Sequence, residues 1–272
     1  METIGRGHAV VRRTRGLIRE RARRETDGLF VAEGLHLAGE ALVAGASIES
    51  ALLSPRLFRT DEGRKIARDL EARGAPLFEI ADTVMGSITD ARSPQPVVLV
   101  VRRRDLGLDD VLTGASRGAT PLVVIAHGLQ DPGNLGTIVR TAHAAGATGV
   151  VATGDGADLF HPKTVRATMG SIFRLPAIAT PLPRIIGVLG DRGIARVGTD
   201  AAATDPYDRC DLTGPVALFF GRESAGLPAE AIPDFDLRVH IPMAGEVESL
   251  SVGAAAAILL YEANRQRKRM PR

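Results

Sequence analysis

The feature that most constrains the fold is an alternation in the second half of the chain. Short apolar runs at Leu122–Ala126, Gly149–Thr153, Ala195–Thr199, Val216–Phe220 and Leu237–Ile241 alternate with segments of helical character at Leu135–Ala145, Lys163–Met169, Pro183–Asp191 and Ser251–Arg265. Leu122–Ala126 and Val216–Phe220 are apolar throughout, with no polar alternate residue, which suits strands buried on both faces. Strands separated by helices then predict an α/β domain with a parallel sheet covered on both sides. Asn134 is placed to cap the first of these helices, and Gly146 to stop it. Ala254–Tyr261 is apolar all round, so burial of that helix is expected.

The first half reads as a smaller α/β unit. Strands are expected at Leu29–Glu33, Ser50–Leu53, Pro76–Ile80 and Val97–Val101, with helices at Leu35–Ala44, Glu62–Arg73 and Ala81–Ile88. The stretch that follows begins with Arg102, Arg103 and Arg104 and then turns to Gly, Asp, Ser and Thr, as a linker does. The expected division is a domain over 1–103, a linker over 104–119 and a second domain over 120–272.

Net charge is only +2, but it is unevenly placed. Residues 1–24 hold eight arginines against Glu2 and Glu20, and residues 265–272 hold five cations and no acid. Two basic ends on a near-neutral body suggest contacts to phosphate, and Arg12, Arg13, Arg15 and Arg19 are the candidates for RNA binding. Solvated termini are the bland alternative. Aromatic residues make up 4% of the chain, which argues against a surface built on base stacking. Cys210 is the single cysteine, so neither an intrachain disulfide nor a cysteine zinc site is expected. The six histidines lack ligand spacing, so no metal is expected. No apolar run approaches the roughly 20 residues of a membrane span, and no signal-peptide core follows the arginines. A cytoplasmic location without membrane attachment is expected.

Three segments carry chemistry, and each follows a strand, where open parallel sheets bind ligands. The first is Asp131-Pro132-Gly133-Asn134-Leu135-Gly136-Thr137-Ile138-Val139-Arg140. At about 100° per residue, Thr137, Arg140 and Thr141 share a helix face with Asn134. The second is Phe219-Phe220-Gly221-Arg222-Glu223-Ser224-Ala225-Gly226-Leu227-Pro228, in which Gly221 would let a ligand lie on the backbone and Glu223 follows as a carboxylate. The third is Ile241-Pro242-Met243-Ala244-Gly245-Glu246-Val247-Glu248-Ser249-Leu250-Ser251, where Ser249 or Ser251 can cap the last helix. Taken singly, each segment reads as ordinary capping and turn chemistry.

Taken in order, NLGTIVRTAHAAGATGVV, FFGRESAGLP and IPMAGEVESLSVGAAAAILLYEA resemble the three motifs of the SpoU (TrmH-type) RNA 2′-O-ribose methyltransferases of the SPOUT superfamily. HPKTVRATMGSIFRLP is similar to the stretch that links them. More weakly, FVAEGLHLAGEAL and SPQPVVLVV resemble the substrate-binding α/β domain often attached in front, which is like certain ribosomal proteins. The resemblance implies a C-terminal trefoil knot, which periodicity cannot reveal. It implies S-adenosyl-L-methionine as cofactor, a homodimer through the catalytic domain, and RNA as partner, with rRNA ranked ahead of tRNA. Carried over by position, Gly221, Ile241 and Leu250 are cofactor-binding, with Met243, Ser251, Thr153 and Gly154 near them. Asn134, Arg140, Glu223 and Ser249 are the catalytic set.

The resemblance implies that Arg140 acts on the ribose hydroxyl, either as its base or as a clamp on the adjacent phosphate. Arginine holds its proton up to a pKa above about 12, which favours the clamp. The sequence departs from the third motif, having Ser251 where asparagine is usual and Gly253 where serine often stands. A catalytically silent RNA-binding scaffold is therefore an alternative, as is a tRNA substrate. A dinucleotide-binding oxidoreductase fits poorly, since no G-x-G-x-x-G follows the strand ending at Ala126. DNA lacks the 2′-hydroxyl that this chemistry needs.

Overall fold

The computed structural model describes residues 1–89, 93–114, 118–223, 225–229, 234–245 and 249–269. The chain divides into two compact units, Met1–Asp105 with Phe160–Phe173, and Leu106–Leu159 with Arg174–Arg272.

The first unit is built on a mixed five-stranded sheet. Its strands are β1 (Glu2–Thr3), β2 (Leu29–Glu33), β3 (Ile48–Leu53), β4 (Leu77–Glu79) and β5 (Val97–Arg102), in the order β1-β4-β3-β5-β2. β4 runs parallel to β1 and β3, whereas β5 runs antiparallel to β2 and β3. The arginine-rich start forms two helices, α1 (Ala9–Arg19) and α2 (Arg21–Asp27). Val11, Leu17 and Ile18 of α1 pack into a core with Leu29, Val31, Leu52, Met85 and Val98. This segment is therefore a folded amphipathic helix, because its apolar residues recur at helical spacing between the arginines. The helices α3 (Leu35–Val43), α4 (Asp61–Ala72) and α5 (Asp82–Ile88) complete the main chain of the unit. The later segment Phe160–Phe173 joins it, with α8 (Pro162–Ala167) inside that segment. Phe160 and Phe173 set their rings 5.1 and 6.0 Å from that of Phe30, and Arg166 reaches buried Glu33 at 2.8 Å.

The second unit is a seven-stranded sheet, all of whose pairings are parallel. Its strands are β6 (Leu122–His127), β7 (Gly149–Thr153), β8 (Ala177–Ala179), β9 (Ala195–Thr199), β10 (Asp205–Pro206), β11 (Val216–Phe220) and β12 (Leu237–His240). The order is β10-β12-β9-β11-β6-β7-β8. All five residues of β11 are buried, and Phe219 packs with Val123, Ile125, Val151, Ile185 and Leu189. The helices are α6 (Leu108–Thr113), α7 (Pro132–Ala145), α9 (Leu182–Asp191) and α10 (Val252–Arg269).

Two expectations need correction here. The cap of α7 is Asp131, whose Oδ1 accepts from the backbone N–H groups of Gly133 and Asn134. The helix starts earlier because Pro132 suits its first position, where no N–H is needed. The apolar helix is not buried all round. Ala256, Leu259, Leu260 and Ala263 of α10 are buried, but Tyr261 is 54% exposed. α7 packs along one side of α10, which leaves part of the apolar surface uncovered. Gly146 ends α7 with φ 80°, as expected of a left-handed stop.

Candidate active site

Parallel strands put all their carboxyl ends on one edge, and loops leaving that edge can meet. The loops after β9, β11 and β12 do so, together with the start of α10. They enclose a cavity of about 420 Å³. From the sequence-derived set, Gly221, Glu223, Ile241, Met243, Ser249, Leu250 and Ser251 all line it. Glu246, Val247, Glu248 and Ser224 of the motifs lie outside the described residues.

The loop after β11 is tightly folded. Arg222 and Gly226 exchange backbone hydrogen bonds of 2.9 Å in both directions. A Cβ on Gly221 would lie 2.1 Å from the Gly226 carbonyl carbon. Glycine is thus required by the loop's own backbone: a side chain at this position would meet Gly226, while Gly221 itself lines the cavity. The loop's closure presents Glu223 to the first motif. Asn134 donates through Nδ2 to Glu223 Oε1 at 3.0 Å, and the Gln130 N–H donates to Oε2 at 3.3 Å. Burial pushes the Glu223 carboxyl up, but the Asn134 amide and backbone N–H groups outweigh it and hold it below the usual glutamate value. Freed from capping, Asn134 thereby couples the first motif to the second.

The third motif meets the first at the head of α10. Ser251 is the cap, its Oγ accepting from the Ala254 N–H at 3.3 Å. A hydroxyl therefore suffices for the helix start at this departure from the family pattern. At the second departure, a Cβ on Gly253 would come 3.4 Å from Thr137 and 3.8 Å from the Asn134 side-chain oxygen. Both distances are ordinary contacts, so the glycine leaves room beside Asn134 without being demanded by it.

Other expected residues stand apart from the cavity. Arg140 is exposed on α7 and makes no hydrogen bond or ion pair with any described residue. It lies six residues beyond Asn134, about 9 Å along the helix axis. Thr153 ends β7 and Gly154 follows it; β6 separates β7 from β11 in the sheet. Thr153 Oγ1 bonds His127 Nδ1 at 2.9 Å, and neither Thr153 nor Gly154 lines the cavity. Among the candidates on α1, Arg12 and Arg19 are exposed. Arg13 pairs with Asp27 at 3.0 Å, and Arg15 donates to Ser87 Oγ at 3.2 Å.

Two features of the lining, and one set of bonds to Glu223, carry no motif residue. Thr199 ends β9 and Asp200 and Ala201 follow it, between the loops of β11 and β12, and His240 ends β12. Gln130 bridges the Gly128 and Asp155 carbonyls as well as Glu223. The first two occupy strand ends, the very signal used for the three motifs, but they sit in stretches with no motif to draw attention. Among the described residues, no cluster of His, Cys, Asp and Glu is arranged to hold a metal, and no helix is long and apolar enough to cross a membrane.

A parallel α/β domain whose cavity gathers at one strand edge defines a ligand-binding enzyme domain of the doubly covered kind. Residues 121–261 match the SpoU rRNA Methylase family, and residues 9–99 match the MRM3-like substrate binding domain. The chain belongs to the SpoU rRNA methylase family. It is 35% identical to the 23S rRNA (guanosine(2553)-2′-O)-methyltransferase RlmP of Bacillus subtilis, over 85% of this chain and 87% of that protein. It is 32% identical to the 23S rRNA (uridine(2479)-2′-O)-methyltransferase of Streptomyces viridochromogenes, over 92% and 88%. The crystal structure of AdoMet-bound rRNA methyltransferase from Sinorhizobium meliloti superposes with a TM-score of 0.83 at 34% identity, covering 97% of each chain. The AviRb methyltransferase of Streptomyces viridochromogenes in complex with AdoMet gives 0.84 at 30% identity, over 96% and 99%.

Proposed function

We infer that this protein methylates a ribose 2′-hydroxyl of 23S ribosomal RNA, using S-adenosyl-methionine. The observation that carries the reading is the single cavity shared by the second and third motifs, with Asn134 of the first motif hydrogen-bonded to its rim. The lining suits the methyl donor, which carries a sulfonium, an ammonium and a carboxylate. Among the described lining residues Asp200 and Glu223 are the acids, and Arg222 is the strong base. A volume of about 420 Å³ is in the range of small-molecule sites.

When bound, the donor would supply an electrophilic methyl to the ribose oxygen, its carbon–sulfur electron pair going to sulfur and the hydroxyl proton to water. The protein's part is largely positioning, which can lower such a barrier by several kcal/mol. Gly221, Ile241, Met243, Leu250 and Ser251 would hold the donor. Glu223 orients Asn134, and Ser249 is exposed at the mouth to meet the nucleotide. Arg140 is assigned to the phosphate beside the reacting hydroxyl, where a planar guanidinium grips two oxygens at once. Its exposure, away from the cavity of its own chain, supports a homodimer in which a second copy brings Arg140 to the site. The uncovered apolar side of α10, with exposed Tyr261, supports the same assembly. A trefoil knot over the C-terminal segment belongs to this reading; it is supported by the convergence of Gly221, Ile241 and Val252 on one cavity while α10 packs back on α7. The N-terminal unit is read as the RNA-gripping domain, and the cytoplasm, where ribosomes are made, as the place of action.

Methylation mapping of 23S rRNA from cells with and without the gene tests the reading. One 2′-O-methyl mark should vanish with the gene. Arg140→Ala should also abolish the mark, with turnover on ribosomal RNA down at least about 100-fold. Calorimetric affinity for S-adenosyl-homocysteine should stay within threefold of wild type. A lost mark in tRNA, with 23S rRNA unchanged, would move the assignment to the other substrate.

A further inference from the structure

The cavity has an end that the three motifs do not explain. Thr199, Asp200 and His240 line it there, at the carboxyl ends of β9 and β12. Most of the hydrogen-bonding capacity at this end is already used. Thr199 Oγ1 donates to the Phe219 carbonyl at 2.8 Å. The Asp200 carboxylate accepts from the Ala202 N–H at 2.9 Å and from Arg238 Nη1 at 3.0 Å. His240 differs. Its Nδ1 is buried and has no hydrogen-bond partner among the described residues. Leaving a buried polar nitrogen unpaired is costly, and native proteins seldom tolerate it without a purpose. A residue that lines a ligand cavity and carries such an atom is paired most simply by the ligand.

The sheet order says which part of the ligand. Reading across the sheet, β12 is followed by β9, β11 and β6. The reacting end of the site is set by Glu223 after β11 and Asn134 after β6, which hydrogen-bond each other. His240 is two strand spacings from β11, about 10 Å. That is the span of a nucleoside. If the sulfonium lies near Glu223, the adenosyl half extends toward β12. Adenine and ribose offer both donors and acceptors, so Nδ1 finds a partner in either imidazole tautomer.

We propose that His240 recognises the adenosyl half of the methyl donor through Nδ1; this rests on the reading of the cavity as the donor site. His240 is then a recognition residue at the far end of the ligand, remote from the transferred methyl.

Calorimetry on the full-length protein separates the possibilities, with S-adenosyl-homocysteine and 5′-methylthioadenosine as probes. The second lacks the amino-acid tail. His240→Leu should weaken both ligands about tenfold and by the same ratio. His240→Asn, whose amide reaches the position of Nδ1, should restore both to within threefold of wild type. Thermal melting gives an independent readout. Without ligand, His240→Leu should melt no lower than wild type, since an unpaired nitrogen is gone, but its ligand-induced rise in melting temperature should shrink. Unchanged affinity for both probes in His240→Leu would overturn the proposal. So would a loss confined to S-adenosyl-homocysteine, which would put His240 at the amino-acid half. If His240→Leu fails to fold, failure of a folded His240→Asn to match wild type would count against the proposal in the same way. If wild-type protein bound neither probe, the donor-site reading itself would fall, and the His240 assignment with it.

Discussion

Arg12 and Arg19, near the N-terminus, stand exposed on α1, whereas Arg267, near the C-terminus, is folded back onto backbone carbonyls. Its Nε donates to Leu212 O at 2.9 Å, Nη1 to Thr120 O at 2.9 Å, and Nη2 to Pro121 O at 2.9 Å and to Gly214 O. Burial holds its basicity below the usual arginine value. Beside it, Gln266 donates to Cys210 O and accepts from the Leu212 N–H. These bonds staple the end of α10 to the segments that lead into β6 and β11. A guanidinium has five donors and serves as a structural fork wherever several carbonyls converge. Charge density along the sequence is similar at the two ends, yet at this position of the C-terminal end the cation is turned inward. Arg272 lies outside the described residues. The N-terminal cluster is itself mixed. Arg24 is 2% exposed and donates to the Leu17 and Ile18 carbonyls at 2.7 and 3.1 Å, closing the end of α1. Basic runs therefore have to be sorted residue by residue before any is assigned to RNA.

Replacing Arg267 with Met is the strongest test of this contrast. Four carbonyls lose a charged donor, at a cost of about 2–4 kcal/mol. The melting temperature should fall on the order of 5–10 °C, with no change in the salt dependence of RNA binding. A flattened salt slope at unchanged stability would break the comparison. Arg24→Met should follow, costing about 2 kcal/mol through the two freed carbonyls of α1. Scanning calorimetry should show that loss, and equal stability would remove Arg24 from the helix end. Next in size is the double change Arg12→Glu with Arg19→Glu. RNA affinity at low salt should drop about tenfold, and the slope of log K against log salt should fall by about 1–2. Melting should move less than about 2 °C, because neither side chain is buried. An unchanged slope would make α1 a solvated face. Deleting the whole segment is a poorer test, since Val11, Leu17 and Ile18 belong to the core. The smallest effect is expected for Arg265→Ala. Arg265 is exposed and paired only locally with Glu262, three residues before it, so melting should shift by less than about 1 °C.

Much of the fold was open to inspection in the residue pattern. The runs at Leu122, Gly149, Ala195, Val216 and Leu237 all form strands; those at Leu122 and Val216 are apolar throughout and buried, whereas those at Ala195 and Leu237 carry Arg196 and Arg238 at alternate positions. β1, β8 and β10 escaped, being two or three residues long and too short for any period to show. Asp131 and Asn134 both have capping side chains, and Asp131 takes the role because the Pro that follows it suits the first helical position. In the site, Gly221, Glu223, Ile241, Met243, Ser249, Leu250 and Ser251 were reachable because they follow strands and carry motif residues. His240 and Asp200 meet the same positional rule without a motif, so nothing in the residue pattern distinguishes them from other strand ends.

Local patterning was enough to establish an α/β chain in two parts, a parallel sheet in the second, and the strand ends where a ligand would bind. Those properties depend on neighbours within a few residues, where periodicity and capping act. Strand order, the Asn134–Glu223 bond, the unpaired nitrogen of His240 and the inward turn of Arg267 emerged only from the folded chain. Each depends on groups far apart in the sequence, 89 residues for Asn134 and Glu223 and 147 for Arg267 and Thr120. No short-range preference encodes such a meeting, since side chains of the same type serve either purpose until packing brings their partners within reach.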